Sequence, residues 1–197
     1  MWNERYSQPG FAYGSEPNDF LAANAARYLP AWGEVLCLAE GEGRNAVFLA
    51  QQGFRVTGVD QSEKGLEKAQ ALAKRRGVEI TTLVADLSDF DLGSARWDGV
   101  VSIWCHTPPA LRARLHRSVV SSLRPGGALI LEAYTPDQLS YRTGGPPSAD
   151  LLMTLAGVTA ELEGLEIVHG EETLREIHEG EYHNGLSAVL QLVARKA

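Results

Sequence analysis

The sequence predicts an α/β fold: a mostly parallel, seven-stranded sheet with helices on both faces and an antiparallel hairpin at the C-terminus. Three observations predict it. Apolar runs of strand length alternate with segments of helical period from Val35 to Tyr134. The connections between them are short and marked by Gly, Pro or a capping residue. Two long alternating segments, 165–180 and 186–196, then follow one another with only a turn between them, which is the pattern of a hairpin.

The segment 1–16 mixes aromatics with Gly, Pro and Ser without a steady period, so it reads as a loop-like arm, and aromatic arms usually cover something. A first helix is expected from Pro17 to Tyr28, with Phe20, Leu21, Ala25 and Leu29 at helical spacing. VLCLA opens the sheet, a glycine turn follows, and a helix from Arg44 to Gln52 stops at Gly53. FRVTGVD is the second strand, ending on Asp60. Ser62 caps a helix that ends at Gly77, and VEITTLVAD is a third strand ending at Asp86. After a polar loop, WDGVVSIW is the fourth strand, a helix runs from Thr107 and Pro108 to Leu123, and PGG leads into the fifth strand, ALILEAY. A Gly/Pro-rich loop and a helix over Ala149–Leu162 precede the hairpin. Strict alternation with short connections calls for parallel strands and right-handed crossovers.

A chain of 197 residues, 44% of them hydrophobic, suits a single domain with the first 16 residues as its arm. The formal charge of −7 offers phosphate backbones no general attraction, so nucleic acid is not an expected partner, and Arg112, Arg114 and Arg117 read as a solvated helix face. Cys37 and Cys105 do not form a secreted disulfide framework, and no metal-ligand spacing accompanies Cys105 and His106. Without a leader-like N-terminus or a membrane-length apolar run, the expected setting is the cytoplasm, as a monomer or weak homodimer.

Residues 35–45, VLCLAEGEGRN, are a strand, a glycine turn and a helix start. Gly41 and Gly43 permit positive φ and let a ligand lie against the main chain, with unpaired helix N–H groups pointing at it. Gly41-x-Gly43-x-x-Ala46 with Asp60 downstream also satisfies a loose dinucleotide fingerprint, so an NAD(P)-dependent oxidoreductase is one reading. Glu40 and Glu42 beside the turn argue against a pyrophosphate, and suit the cationic S-adenosylmethionine better.

Taken together, VLCLAEGEGRN, VTGVDQS, VADLSDF, WDGVVSIW and LRPGGALILE resemble, in order and spacing, the successive motifs of class I S-adenosylmethionine-dependent methyltransferases, over about residues 34–134. WNERY, YGSEPN and GEGRNAVFLAQQGFRVTGVD are further similar to a small bacterial branch akin to tellurite-resistance and thiopurine methyltransferases. The resemblance implies a Rossmann-like sheet and S-adenosylmethionine as cofactor. By position it assigns Gly41 and Gly43 to the turn that passes the methionine part and Asp60, with Gln61 beside it, to the ribose. Asp86 with Leu87 would read the adenine, and Ile103 and Trp104 would line the methionyl chain. Cys37 stands where the family usually has an acid and Ala39 where it often has glycine, so Glu40 or backbone carbonyls are expected to take over the cofactor's ammonium end.

Methyl transfer needs positioning and water exclusion more than an elaborate catalytic set. His106, after the fourth strand, is the best candidate base. Tyr134 is placed to line the acceptor site, and Arg142 and Arg5 to meet an anionic substrate. Trp2, Arg5, Tyr6 and Tyr13 are expected to fold over the cofactor; packing onto the first helix is the other reading. Asp98, at the opposite edge, and His178 and His183, in the hairpin, are assigned to structure. SIWCHTPP lacks the Asn/Asp-Pro-Pro-aromatic signature of nucleobase amino methyltransferases, which argues against a DNA base. The reading that follows is methyl transfer to a small molecule, a thiol or a soft oxyanion such as selenite or tellurite. An oxidoreductase or a non-catalytic S-adenosylmethionine-binding protein is the alternative.

Overall fold

The computed structural model describes residues 1–197. Its centre is β1, Glu34–Leu38, buried from Val35 onward. β1 pairs in parallel with β2 (Arg55–Asp60) on one side and with β4 (Trp97–Ile103) on the other, Val35 lying opposite Val56 and Gly99. With β3 (Thr81–Val84), β5 (Leu123–Tyr134), β6 (Leu165–Glu179) and β7 (His183–Lys196), the seven-stranded order is β3-β2-β1-β4-β5-β7-β6. Strands β1 to β5 run parallel, and β7 is antiparallel to both of its neighbours.

Side chains alternate across the pleat, so β1 feeds two cores. Val35 and Cys37 join Leu21, Val47 and Leu72, from α2 (Asp19–Tyr28), α3 (Arg44–Gln51) and α4 (Glu63–Arg76). Leu36 and Leu38 join Leu115, Val119 and Val158, from α5 (Pro109–Ser122) and α6 (Leu155–Glu161), on the other face. No helix is long and apolar enough to cross a membrane.

Four local expectations change. The arm begins with a helix, α1 (Trp2–Tyr6): Tyr6 is buried, and the Ser62 hydroxyl donates to Asn3 Oδ1 at 2.6 Å, so tertiary contacts order a segment that has no helical period. The helix placed at Pro17 starts at Asp19, because the Asn18 side chain accepts the Leu21 N–H as its cap. β3 is shorter than Val78–Asp86, which leaves Asp86 on the loop beyond it. The helix expected over Ala149–Leu162 breaks into a 3-10 turn, Ala149–Leu151, and α6, because the Met153 N–H donates to the Tyr134 carbonyl and Leu152 and Met153 turn into the core.

An ionic network is buried where the hairpin meets the parallel strands. Glu132 on β5 is 0% exposed and accepts Arg175 Nε at 2.8 Å, Arg175 Nη2 at 2.7 Å, Gln191 Nε2 at 2.6 Å and Asn18 Nδ2 at 2.5 Å. At the other end of the strands Asp98 accepts the Glu34 N–H and Arg124, a structural task. Removing one member of a buried pair strands the other. Glu132→Ala should therefore destabilise the protein by about 3–5 kcal/mol, read as a lower urea midpoint with an unchanged slope.

Candidate active site at the crevice between β1 and β4

From β1 the chain goes to β2 on one side, whereas β4 lies on the other, so a crevice opens beyond the carboxyl ends of β1 and β4. Both exits turn sharply: Ala39 has φ +49° and Trp104 φ +56°, left-handed conformations that side chains seldom take. The glycines are required by what they touch. A Cβ on Gly43 (φ +93°) would lie 2.6 Å from Ala69 of α4, and one on Gly41 (φ +64°) would lie 2.7 Å from the Tyr6 hydroxyl.

The acids around the turn are anchored rather than free. Glu40 points inward: the Ala46 N–H donates to its Oε1 at 2.8 Å and the Cys37 thiol donates to it as well. This corrects the expectation that Glu40 faces the cofactor's ammonium end, and it takes one of the N–H groups at the start of α3 that were expected to face a ligand. A pyrophosphate there would meet a carboxylate already in place. Glu42 is bound by Lys68 at 2.8 Å and by the Ala12 N–H at 2.7 Å. Cys37 is buried, and burial with Glu40 beside it holds its thiol protonated, so it is a donor to Glu40 and not a cofactor contact.

Asp60, at the tip of β2, accepts the Gly41 N–H at 2.9 Å and the Ser62 N–H at 2.8 Å. A carboxylate has about four lone-pair sites, so Asp60 ties the glycine turn to α4 and keeps acceptor capacity. Gln61 beside it is exposed. Asp86 is exposed on the loop after β3, held below the usual carboxylate range by the Ser88 N–H, while Leu87 packs against the second core. Ile103 is buried in the first core at the β4 tip.

The arm lies over the glycine turn and not on α2. Tyr6 covers Gly41, Trp2 stacks on Tyr6 at 5.7 Å, and Arg5 sits between the Trp2 and Tyr182 rings while donating to the Tyr13 hydroxyl. Beyond Tyr13 the rings continue as a wall. Tyr13 meets His183 at 4.6 Å, His183 meets Trp104 edge-on at 5.2 Å, and Trp104 stacks on Tyr134 at 4.4 Å. The wall thus joins the arm, the hairpin tip and the ends of β4 and β5.

His106 is corrected as a base. Its Nδ1 bonds the Leu151 carbonyl at 2.9 Å and its Nε2 accepts the Tyr134 N–H at 3.3 Å, so both nitrogens are taken by main chain. Burial pushes its pKa down to about 4, against the opposing Leu151 bond, and the ring stays neutral as a brace behind Tyr134. Cys105 is sealed in, with its thiol pushed up to about 12 by burial first and by Asp60 second. Arg142 (φ +58°) is exposed on the loop after β5, and its guanidinium makes no hydrogen bond or ion pair.

Sequence reasoning missed Glu179 and His183 as members of this site. Glu179 ends β6 and accepts Arg44 Nη2 and Trp104 Nε1, each at 2.6 Å. Burial alone would raise its carboxyl; His183, Arg44 and Trp104 outweigh that and hold it far below the usual range. The one local signal was a glutamate and a histidine flanking a hairpin turn, which ordinarily marks surface.

Burial raises the Glu40 carboxyl to about 7, partly offset by the Ala46 N–H. The unfolded chain ionises first, so the folded state loses stability as pH rises from the ordinary carboxylate range to about 7, and no more above it. Glu40→Gln keeps an acceptor for Ala46. It should flatten this window and raise the urea midpoint at pH 8; an unchanged pH profile would show that Glu40 ionises normally.

Residues 35–127 match the family model of a methyltransferase domain. The chain is 29% identical over 113 residues to 2-heptyl-1-hydroxyquinolin-4(1H)-one methyltransferase of Mycobacteroides abscessus, covering 53% of this chain and spanning about half, 50%, of that relative. It is 23% identical over 215 residues to thiopurine S-methyltransferase of Legionella pneumophila, with 99% of this chain and 96% of that one covered. TehB from Haemophilus influenzae shares the fold, with a TM-score of 0.73 at 17% identity over 91% of this chain and 62% of that one. The matched domain, the end-to-end relative and a sheet whose seventh strand runs reversed between the fifth and sixth support a class I S-adenosylmethionine-dependent methyltransferase.

Proposed function

We propose that the chain, as a single domain acting in the cytoplasm without nucleic acid, transfers the methyl group of S-adenosylmethionine to a small thiol or to a soft oxyanion such as selenite or tellurite. The observation that carries this reading is the aromatic wall beside the crevice. Trp104 follows β4 at the cofactor side and is half-buried, with the fully buried Tyr134 stacked behind it, so the next space along the crevice is bounded by a polarizable face. Sulfur sits well against aromatic rings. The end-to-end relative, named a thiopurine S-methyltransferase, supports a sulfur acceptor.

The residues present fit the cofactor. Asp60 has acceptor capacity left for ribose hydroxyls, with Gln61 exposed beside it, and Asp86 stands free of other side chains but Ser88 for the adenine amino group. The backbone at half-buried Ala39 and at Gly41, buried beneath Tyr6, would pass the methionine part, with Ile103 and Trp104 along it. Glu40 and Cys37 are excluded from that task by their inward contacts, so backbone carbonyls at the turn would meet the ammonium. Bound there, S-adenosylmethionine supplies an electrophilic methyl group; the protein orients it and excludes water beneath the arm.

Calorimetry should show S-adenosylmethionine binding, weakened by roughly 10- to 100-fold in Asp60→Asn, as expected for losing hydrogen bonds to a charged group worth about 1.5–3 kcal/mol. Binding of NADH in place of S-adenosylmethionine would overturn the reading. For the acceptor, labelled methyl from S-adenosylmethionine should appear on members of a panel of thiols, selenite and tellurite, and not on small amines. Transfer to amines alone sinks the soft-acceptor assignment.

A further inference from the structure

Glu179 and His183 face each other across the tip of the β6–β7 hairpin, at the wall and not at the surface. His183 is 6% exposed, and its Nδ1 lies 3.9 Å from Glu179 Oε2, buried and without a hydrogen-bond partner. Its Nε2 makes no hydrogen bond and is not among the sealed, unpartnered atoms. An orphaned buried nitrogen costs about 1–3 kcal/mol, which a purely structural histidine would avoid by closing the gap. The carboxylate it faces is held ionised by Arg44 and Trp104, so a negative charge is fixed behind the ring. Catalytic hydrogen bonds in ligand-free enzymes are often long and tighten only around substrate.

Resting on the acceptor reading above, we propose that His183, oriented by Glu179, is the proton acceptor for a thiol held against Trp104. Three rings place His183 at that spot: Trp104 at 5.2 Å and 74°, Tyr134 at 5.3 Å and 83°, and Tyr13 at 4.6 Å. The Tyr134 hydroxyl, also buried and unpartnered, lies beside the same loop glycine, Gly144, whose Cβ would come within 2.6 Å of that hydroxyl and 2.8 Å of His183 Cδ2. Gly144 thus lets the loop backbone pack directly against both side chains and hold them in place.

The acceptor's S–H bond breaks and its proton passes to His183 Nε2, while its sulfur bonds to the donated methyl carbon. The electron pair of the donor's methyl–sulfur bond stays with the donor, whose sulfonium is thereby neutralised. The resulting imidazolium carries Nδ1–H toward the Glu179 carboxylate, so the charge it gains is met by one already fixed. Burial keeps the ring neutral beforehand, opposed by Glu179; Arg44 and Arg5 act in the same sense as burial. The other titratable groups facing the ring are His106, Tyr13 and Tyr134, and the two phenols have pKa values raised by burial. An oxyanion acceptor needs no such base, so the dyad favours the thiol.

Two measurements test this. Histidine-ring nitrogen NMR on the protein without ligand should show neutral His183 with its proton on Nδ1. In Glu179→Gln its pKa should fall by about one unit or more, the effect of removing an opposite charge within about 4–6 Å. A proton on Nε2, or a titration unmoved by Glu179→Gln, overturns the dyad. Methyl transfer at pH 7 is then compared between 2-mercaptoethanol, protonated at that pH, and 4-nitrothiophenol, already ionised. His183→Gln, which leaves the Glu179–Arg44 pair intact, should slow transfer to the first by about 10²-fold, the size of a general-base contribution, and to the second by far less. Equal losses overturn the proton role. Wild-type protein that binds S-adenosylmethionine yet methylates neither thiol refutes the acceptor reading, and the NMR result then decides the dyad by itself.

Discussion

The buried carboxylate of Glu179 is the constraint on which the site depends. One side chain at the end of β6 accepts Arg44 from the start of α3, Trp104 Nε1 from the end of β4 and Asn18 Nδ2 from the cap of α2. Charge-assisted bonds of this kind are short and directional. Burying an ion is costly, and the cost is offset here only because the partners arrive together. The terminal hairpin is thereby locked onto the parallel half of the sheet, and Trp104 is held in the left-handed turn that aims its ring across the crevice.

The hairpin tip in turn seats the arm. Any Cβ at Gly180 would fall 2.4 Å from the Ala12 carbonyl and 2.6 Å from the Gly14 nitrogen, so the turn and the arm pass backbone against backbone. The Glu181 N–H donates to the Ala12 carbonyl at 3.0 Å, and Glu42 accepts the N–H of the same residue at 2.7 Å. The arm is therefore tied at Ala12 to both the hairpin and the glycine turn. With Tyr6 over Gly41 and Arg5 between Trp2 and Tyr182, a segment with no helical period becomes the cover of the crevice.

Local pattern carries as far as local physics does. The alternation of strand and helix, the Ser62 cap, the Gly77 stop and the hairpin were legible because periodicity and capping act over a few residues. The break after Leu151 was not, since Met153 leaves a helical pattern to bond Tyr134, far away in the chain. His106 was legible in place, at the ligand-bearing edge, but not in role. Its two nitrogens are claimed by the main chain of Leu151 and Tyr134, which no spacing reveals.

By itself the sequence determined the order of the strands and of the helices between them, the glycine turn and the acids at the end of β2 and after β3, because backbone conformation and burial pattern follow from neighbours in the chain. Only the tertiary structure decided which way the polar groups face. Glu40 turned inward to cap α3, and Glu179 met Arg44 and Trp104 across separations of 135 and 75 residues. Whether a carboxylate or an imidazole is solvated, braced or reactive depends on the groups packed against it, and those come from distant segments brought together by the fold.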